Sequence, residues 1–143
     1  MKILDVNVLL DALNPTSATS ARQRAFLERV LNEDEVVALP WHTVLGFLRI
    51  STTRGYRYHH EPSVAVGLIN SWLALPNVRI LHPGERHWTI LRELLDALPS
   101  AGPLVSDAHL AALAIENGAE LCSADTDFSR FPRLKWTDPT RAA

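Results

Sequence analysis

Two aspartates, Asp125 and Asp127, follow the short strand-like run at residues 120–123 in the stretch CSADTDF. A third, Asp5, closes the apolar run that opens the chain, KILDVNVLL, and a fourth, Asp107, heads the small-residue stretch DAHLAALAIENG. Carboxylates brought together raise one another's pKa or demand a cation. Oxygen-only ligands select hard ions, so the ion implied is Mg²⁺ or Mn²⁺. Mg²⁺ takes one or two carboxylates and completes its shell with water and substrate phosphate. The matching chemistry is hydrolysis of a phosphodiester, with the ion orienting water, lowering its pKa and stabilising the leaving oxygen. Each acid also has an ordinary structural reading. Asp5 can be a turn residue before Asn7, Asp107 a helix N-terminal charge, and Asp125 or Asp127 an Asx-turn before FSRF. A metal site requires that the four meet.

Whether they meet depends on the elements between them. Residues 2–5 read as a buried strand, followed by a short helix near 7–13 that Pro15 closes. A helix near 18–33 places Phe26, Leu27, Val30 and Leu31 on one side, and VVAL at 36–39 is a second strand. From Trp41 the spacing of Val44, Leu45 and Leu48 is helical until Gly55. Another helix runs from Glu61 and Pro62 to Pro76, with Ala65, Leu68, Ile69 and Trp72 sharing a face. Residues 78–81 form a third strand, and 84–98 a helix with Trp88, Leu91, Leu95 and Leu98 inward. Ser106 is positioned to cap a helix that stops at Gly118. Residues 120–123 are a fourth strand and 134–136 a candidate fifth.

This alternation predicts an α/β fold, a three-layer αβα sandwich around a mainly parallel sheet of four to five strands. Binding groups in such sheets collect outside the carboxyl ends of the strands, where strand order reverses. Asp5, Asp125 and Asp127 all follow strands, and Asp107 starts a helix whose macrodipole favours an ionised carboxylate. All four can therefore reach one rim.

With 143 residues, 47% of them apolar and 21% charged, the chain is expected to form a single domain over 1–143 with a substantial core. Asp5 and Asp11 interrupt the apolar start, and no run approaches the roughly 18 to 20 apolar residues of a membrane span. A cytoplasmic location is expected. The sole cysteine, Cys122, reads as a small core residue and excludes a cysteine-based zinc site. A net charge of -2 and a pI near 6.3 exclude nucleic-acid binding by bulk positive charge, so phosphate must be gripped locally.

Candidates for that grip are Arg49 and the loop RGYRYHH at 54–60, where Arg54 and Arg57 mix with Tyr56, Tyr58, His59 and His60. The loop can equally be a solvated surface or a protein contact. His42, His82, His87 and His109 fall on different elements and read as packing or surface residues, His109 being the nearest to an acid in sequence. Metal-free acid-base catalysis through histidines is the chemical alternative. Trp41, Trp72, Trp88 and Trp136 follow apolar stripes and read as core, with an exposed tryptophan as the alternative that would serve protein contacts.

The segments ILDVNVLLDAL, LPWHTVLGFLRI, SDAHLAALAIENGAEL and CSADTDFSRFPRLKW, in this order, resemble the PIN-domain ribonucleases of the VapC toxin family over essentially the whole chain. The resemblance implies the toxin of a type II toxin-antitoxin system, an endoribonuclease using Mg²⁺ or Mn²⁺ on RNA such as tRNA or ribosomal RNA. It also implies a cognate VapB-type antitoxin and a homodimer. Asp5, Asp107 and Asp125 match the family's acids, with Asp127 supporting them, and Asn7, Arg49, Arg54 and Arg57 are candidates for RNA contact. The sequence departs from the family where many relatives carry a glutamate in the helix after the second strand, three residues before an arginine: counting back from Arg49, Gly46 stands there. That keeps open a PIN-fold binding module whose catalysis has decayed. A haloacid-dehalogenase-like phosphatase also opens on a strand-end aspartate, but Asn7 replaces its second acid.

Overall fold

The reversal of strand order that the site requires lies at the first strand. In a computed structural model describing residues 1–141, five strands pair in the order β3-β2-β1-β4-β5, all parallel. They are β1 (Lys2–Leu4), β2 (Val37–Pro40), β3 (Val78–Leu81), β4 (Glu120–Cys122) and β5 (Lys135–Thr137). The chain steps outward from β1 to β2 and β3, then crosses back to β4 on the opposite side of β1. The β1/β4 boundary is therefore the switch point at which such sheets bind ligands.

Successive side chains of a strand face opposite sides of the sheet, which divides the core in two. Leu4, Leu39 and Cys122 point to one face, covered by α1 (Val6–Ala12), α2 (Ser20–Leu31), α3 (Trp41–Ser51) and α4 (Pro62–Leu73). Ile3, Ala38 and Leu121 point to the other, covered by α5 (His87–Asp96) and α6 (Leu104–Glu116). The expected three-layer αβα sandwich is what the chain forms. Cys122 is fully buried, and burial pushes its thiol up to about 12, so it is an inert core residue. No helix among the described residues is long and apolar enough to cross a membrane.

Several side chains face differently from their expected directions. Trp88 and Leu45 are exposed, while His87, Ile90 and Leu94 carry the buried stripe of α5 and Phe47 that of α3. Trp41 is about half exposed and Trp136 only partly buried, so of the four tryptophans Trp72 alone belongs to the core. An apolar residue at helical spacing still faces solvent when the helix packs on the adjoining stripe. Ser106 does not cap α6, because the helix begins two residues earlier, after Pro103 at φ -60°, with Ser106 inside its first turn. Gly118, at φ +58°, ends α6 in the left-handed region as expected of a helix stop.

Phe47 is fully buried and stands edge-on to Trp72, with ring centroids 5.3 Å apart. Its burial fixes which side of α3 faces out. Phe47→Ala is expected to cost about 3 to 5 kcal/mol, as measured by urea denaturation.

Candidate active site

Asp5 follows β1 directly and caps α1. Its Oδ1 accepts from the Val6 amide at 2.7 Å, and its Oδ2 accepts from Ser123 Oγ at 2.7 Å and Asn7 Nδ2 at 3.1 Å. With about two lone pairs per oxygen, Oδ2 is saturated and Oδ1 retains one. Burial raises the Asp5 pKa, against the lowering effects of the Ser123 and Val6 hydrogen bonds and the His42 charge. The same small network organises the loop after β4. Asn7 Nδ2 donates to Ser123 Oγ at 2.9 Å, Asn7 Oδ1 accepts from the Ala124 amide at 3.0 Å, and Ser123 Oγ accepts from the Asp125 amide at 3.1 Å. Trp136 Nε1 donates to the Ser123 carbonyl at 2.9 Å, tying β5 into the same network.

Asp125 in turn opens a 3-10 turn, Thr126–Arg130, by accepting from the Asp127 amide at 2.9 Å. This is the Asx-turn anticipated as its ordinary role, and it leaves the carboxylate with free lone pairs. Asp107 comes from the opposite direction, in the first turn of α6 where unpaired amides and the helix dipole favour an anion.

One oxygen each from Asp107, Asp125 and Asp127 can be chosen so that all lie within 4.8 Å of one another. Asp5 stands beside this group, coupled to Asp107 and Asp125 by charge. Burial, then the charges of Asp125, Asp5 and Asp127, push Asp107 up to about 6. Arg130 pairs with Asp127 at 3.3 Å, an exposed contact that does little to relieve the half-buried acids. The donor set is oxygen-only and anionic, and its own repulsion calls for a cation, so these residues fit a hard divalent ion.

The remaining candidates stand in different relations to the acids. Asn7 is engaged by the Asp5, Ser123 and Ala124 contacts just described. Arg49 lines a cavity on α3 with Val6, His42, Leu45, Gly46 and Ile50. Arg54 and Arg57 lie on the exposed loop between α3 and α4, Arg57 stacking over Tyr58. Tyr56 of that loop is within electrostatic reach of Asp11, at the end of α1 remote from Asp5.

The sequence did not reveal that three histidines converge. His87 Nε2 and His109 Nδ1 share a hydrogen bond of 2.9 Å, and His42 meets His109 edge-on. Burial, with the His87 and His42 charges, holds His109 down to about 4, and burial lowers His87 too. His87 and His109 are therefore neutral at neutral pH, and the three rings sit on three elements whose meeting no local pattern announces.

A PIN-domain family model matches residues 2–134. Ribonuclease VapC43 of Mycobacterium tuberculosis strain H37Rv is 41% identical over 140 residues, covering 97% of this chain and 95% of that protein. Ribonuclease VapC33 of the same strain is 40% identical over 142 residues and 99% of each. The chain thus belongs to the PIN-domain family, in its VapC ribonuclease branch. Solved structures with the same fold include VapBC-1 from nontypeable Haemophilus influenzae, with a TM-score of 0.69 at 16% identity over 98% of each chain. FitAB bound to a DNA fragment gives 0.71 at 20% identity, over 100% of this chain and 98% of that one.

The raised Asp107 pKa has a measurable sign. The folded state binds this proton more tightly than the unfolded state, so the Asp107 contribution to stability falls as pH rises from about 4 through about 6. His109, depressed to about 4, contributes the opposite slope, so comparison with a variant isolates the acid. Without divalent ions, Asp107→Asn is expected to gain stability relative to the parent as pH climbs through this window, then hold the gain. Urea midpoints between pH 4 and 7.5 check this, and saturating Mn²⁺ is expected to stabilise the parent far more than the variant.

Proposed function

We propose that this protein is the toxin of a type II toxin-antitoxin pair, an endoribonuclease that hydrolyses RNA phosphodiesters with Mg²⁺ or Mn²⁺ held by Asp107, Asp125 and Asp127. Asp5 completes the site through the free lone pair of Oδ1 or through water. The observation carrying this reading is the convergence of three carboxylates at the switch point of a PIN-domain sheet, with Asp107 raised to about 6 by burial and its neighbours. When bound, the ion supplies a lowered pKa for water and offsets negative charge on the phosphate. The chain's own part is orientation. Ser123 and Asn7 hold the Asp5 carboxylate, and the Asx-turn at Asp125 directs that side chain and Asp127 from one short loop. Cleavage leaves a 5′-phosphate.

Kinship with the VapC ribonucleases and a fold shared with VapBC-1 support a VapB-type antitoxin as the blocking partner. The assembly proposed is a homodimer. Exposed Trp41, Leu45 and Trp88 supply apolar surface of the kind protein contacts use.

The test is cleavage of total tRNA and ribosomal RNA by purified protein in Mg²⁺ or Mn²⁺. Discrete fragments with 5′-phosphates are expected, lost with EDTA and in Asp5→Ala and Asp107→Asn. Cutting that survives EDTA would move the chemistry to histidines, and no cutting in any condition would leave a binding module. Ser123→Ala, which removes a donor to the Asp5 carboxylate, is expected to lower the cleavage rate about 10- to 100-fold while the fold persists.

A further inference from the structure

Gly46 lies in the middle of α3, with His42 one turn before it and Arg49 one turn after. Separations of four and three residues put all three on one side of the helix. Together with Val6, Leu45 and Ile50 they line a cavity of about 400 Å³. It adjoins the acids: Val6 follows Asp5 in the chain, and the His42 charge acts on the Asp5 carboxyl.

Nothing in the backbone demands glycine at this position. Gly46 is not among the glycines with positive φ, and an added Cβ would meet only the Val6 side chain, at ordinary contact distances of 3.5 Å and more. A glycine inside a helix is otherwise unfavourable relative to alanine. What its missing side chain does here is leave the cavity open.

The chemistry of the lining is one-sided. The cavity is bordered by a guanidinium and an imidazole, with no carboxylate in its wall. Among the described residues Arg49 forms no ion pair, so its charge is available. A guanidinium fork matches the geometry of phosphate oxygens, and the apolar wall of Val6, Leu45 and Ile50 suits the flank of a ribose. The chain's net charge of -2 makes a local phosphate grip of this kind necessary for binding RNA.

We infer that the Gly46 cavity is a phosphate subsite, in which Arg49, with His42 beside it, grips an RNA phosphodiester next to the one cleaved at the acids. This rests on the ribonuclease reading above and adds to it where the substrate lies. It also gives Gly46 a role other than the loss of a metal ligand.

The experiment is steady-state cleavage of a short single-stranded RNA by the full chain, with Mn²⁺ affinity measured separately by calorimetry. Arg49→Ala is expected to raise KM about tenfold with little change in kcat, and to reduce the salt slope of RNA affinity by about 0.7, one phosphate contact. Gly46→Glu, which fills the cavity with negative charge, is expected to raise KM further. Both variants are expected to bind Mn²⁺ as the parent does, which also reports that the acids remain folded. If Gly46→Glu instead increases cleavage and Mn²⁺ binding, the cavity is a vacant acid position and the subsite is overturned. An unchanged KM in Arg49→Ala overturns it too, as does weakened antitoxin binding with RNA kinetics intact. Failure of the parent to cut RNA at all would sink the ribonuclease reading instead, so the two failures are distinct.

Discussion

Four carboxylates cannot share the end of a sheet without raising one another's proton affinity, and much of this molecule answers that repulsion. The answer is partial by design of the fold. Asp5 receives three hydrogen bonds and Asp125 makes one within its own turn, yet Asp107 is left at about 6 by burial and its neighbours. A site fully neutralised by its own protein would have no use for a cation. In the proposed metal site the repulsion that remains would favour a bound cation, and its cost falls on the stability of the ion-free chain.

Holding the acids in place against that repulsion falls to very short strands. β1 and β4 have three residues each, and the register Leu4↔Cys122 puts their carboxyl ends side by side. Asp5 and Ser123 are each the next residue along, so their hydrogen bond follows directly from the register. Trp136, one strand further out, fastens the Ser123 carbonyl. The network is thus anchored on three adjacent strands, and packing on both faces of the sheet keeps those strands from shifting.

The positive groups are placed as sparingly as the negative ones are concentrated. Arg130 meets Asp127 at the surface, Arg49 and His42 border the neighbouring cavity, and His87 and His109, both lowered by burial, pair with each other. A chain that is mildly acidic overall can still receive a polyanion when the divalent ion supplies the central charge and a few side chains supply the flanks.

The sequence by itself determined the layer order and the location of the acids. Strand and helix periods differ, apolar runs ended by Pro or Asp mark strand ends, and in a parallel α/β sheet those ends share one rim. It also carried the family, because ILDVNVLL, SDAHLAAL and CSADTDF occur together in order. Only the tertiary structure decided that Asn7 and Ser123 brace Asp5, that Trp88, Leu45 and Trp41 face outward, and that His42, His87 and His109 converge. Only it showed that Gly46 opens a cavity between His42 and Arg49. Periodicity reports where a side chain points relative to its own helix or strand. It carries no record of which distant element packs across from it, and every one of these features is a meeting of elements or the absence of one.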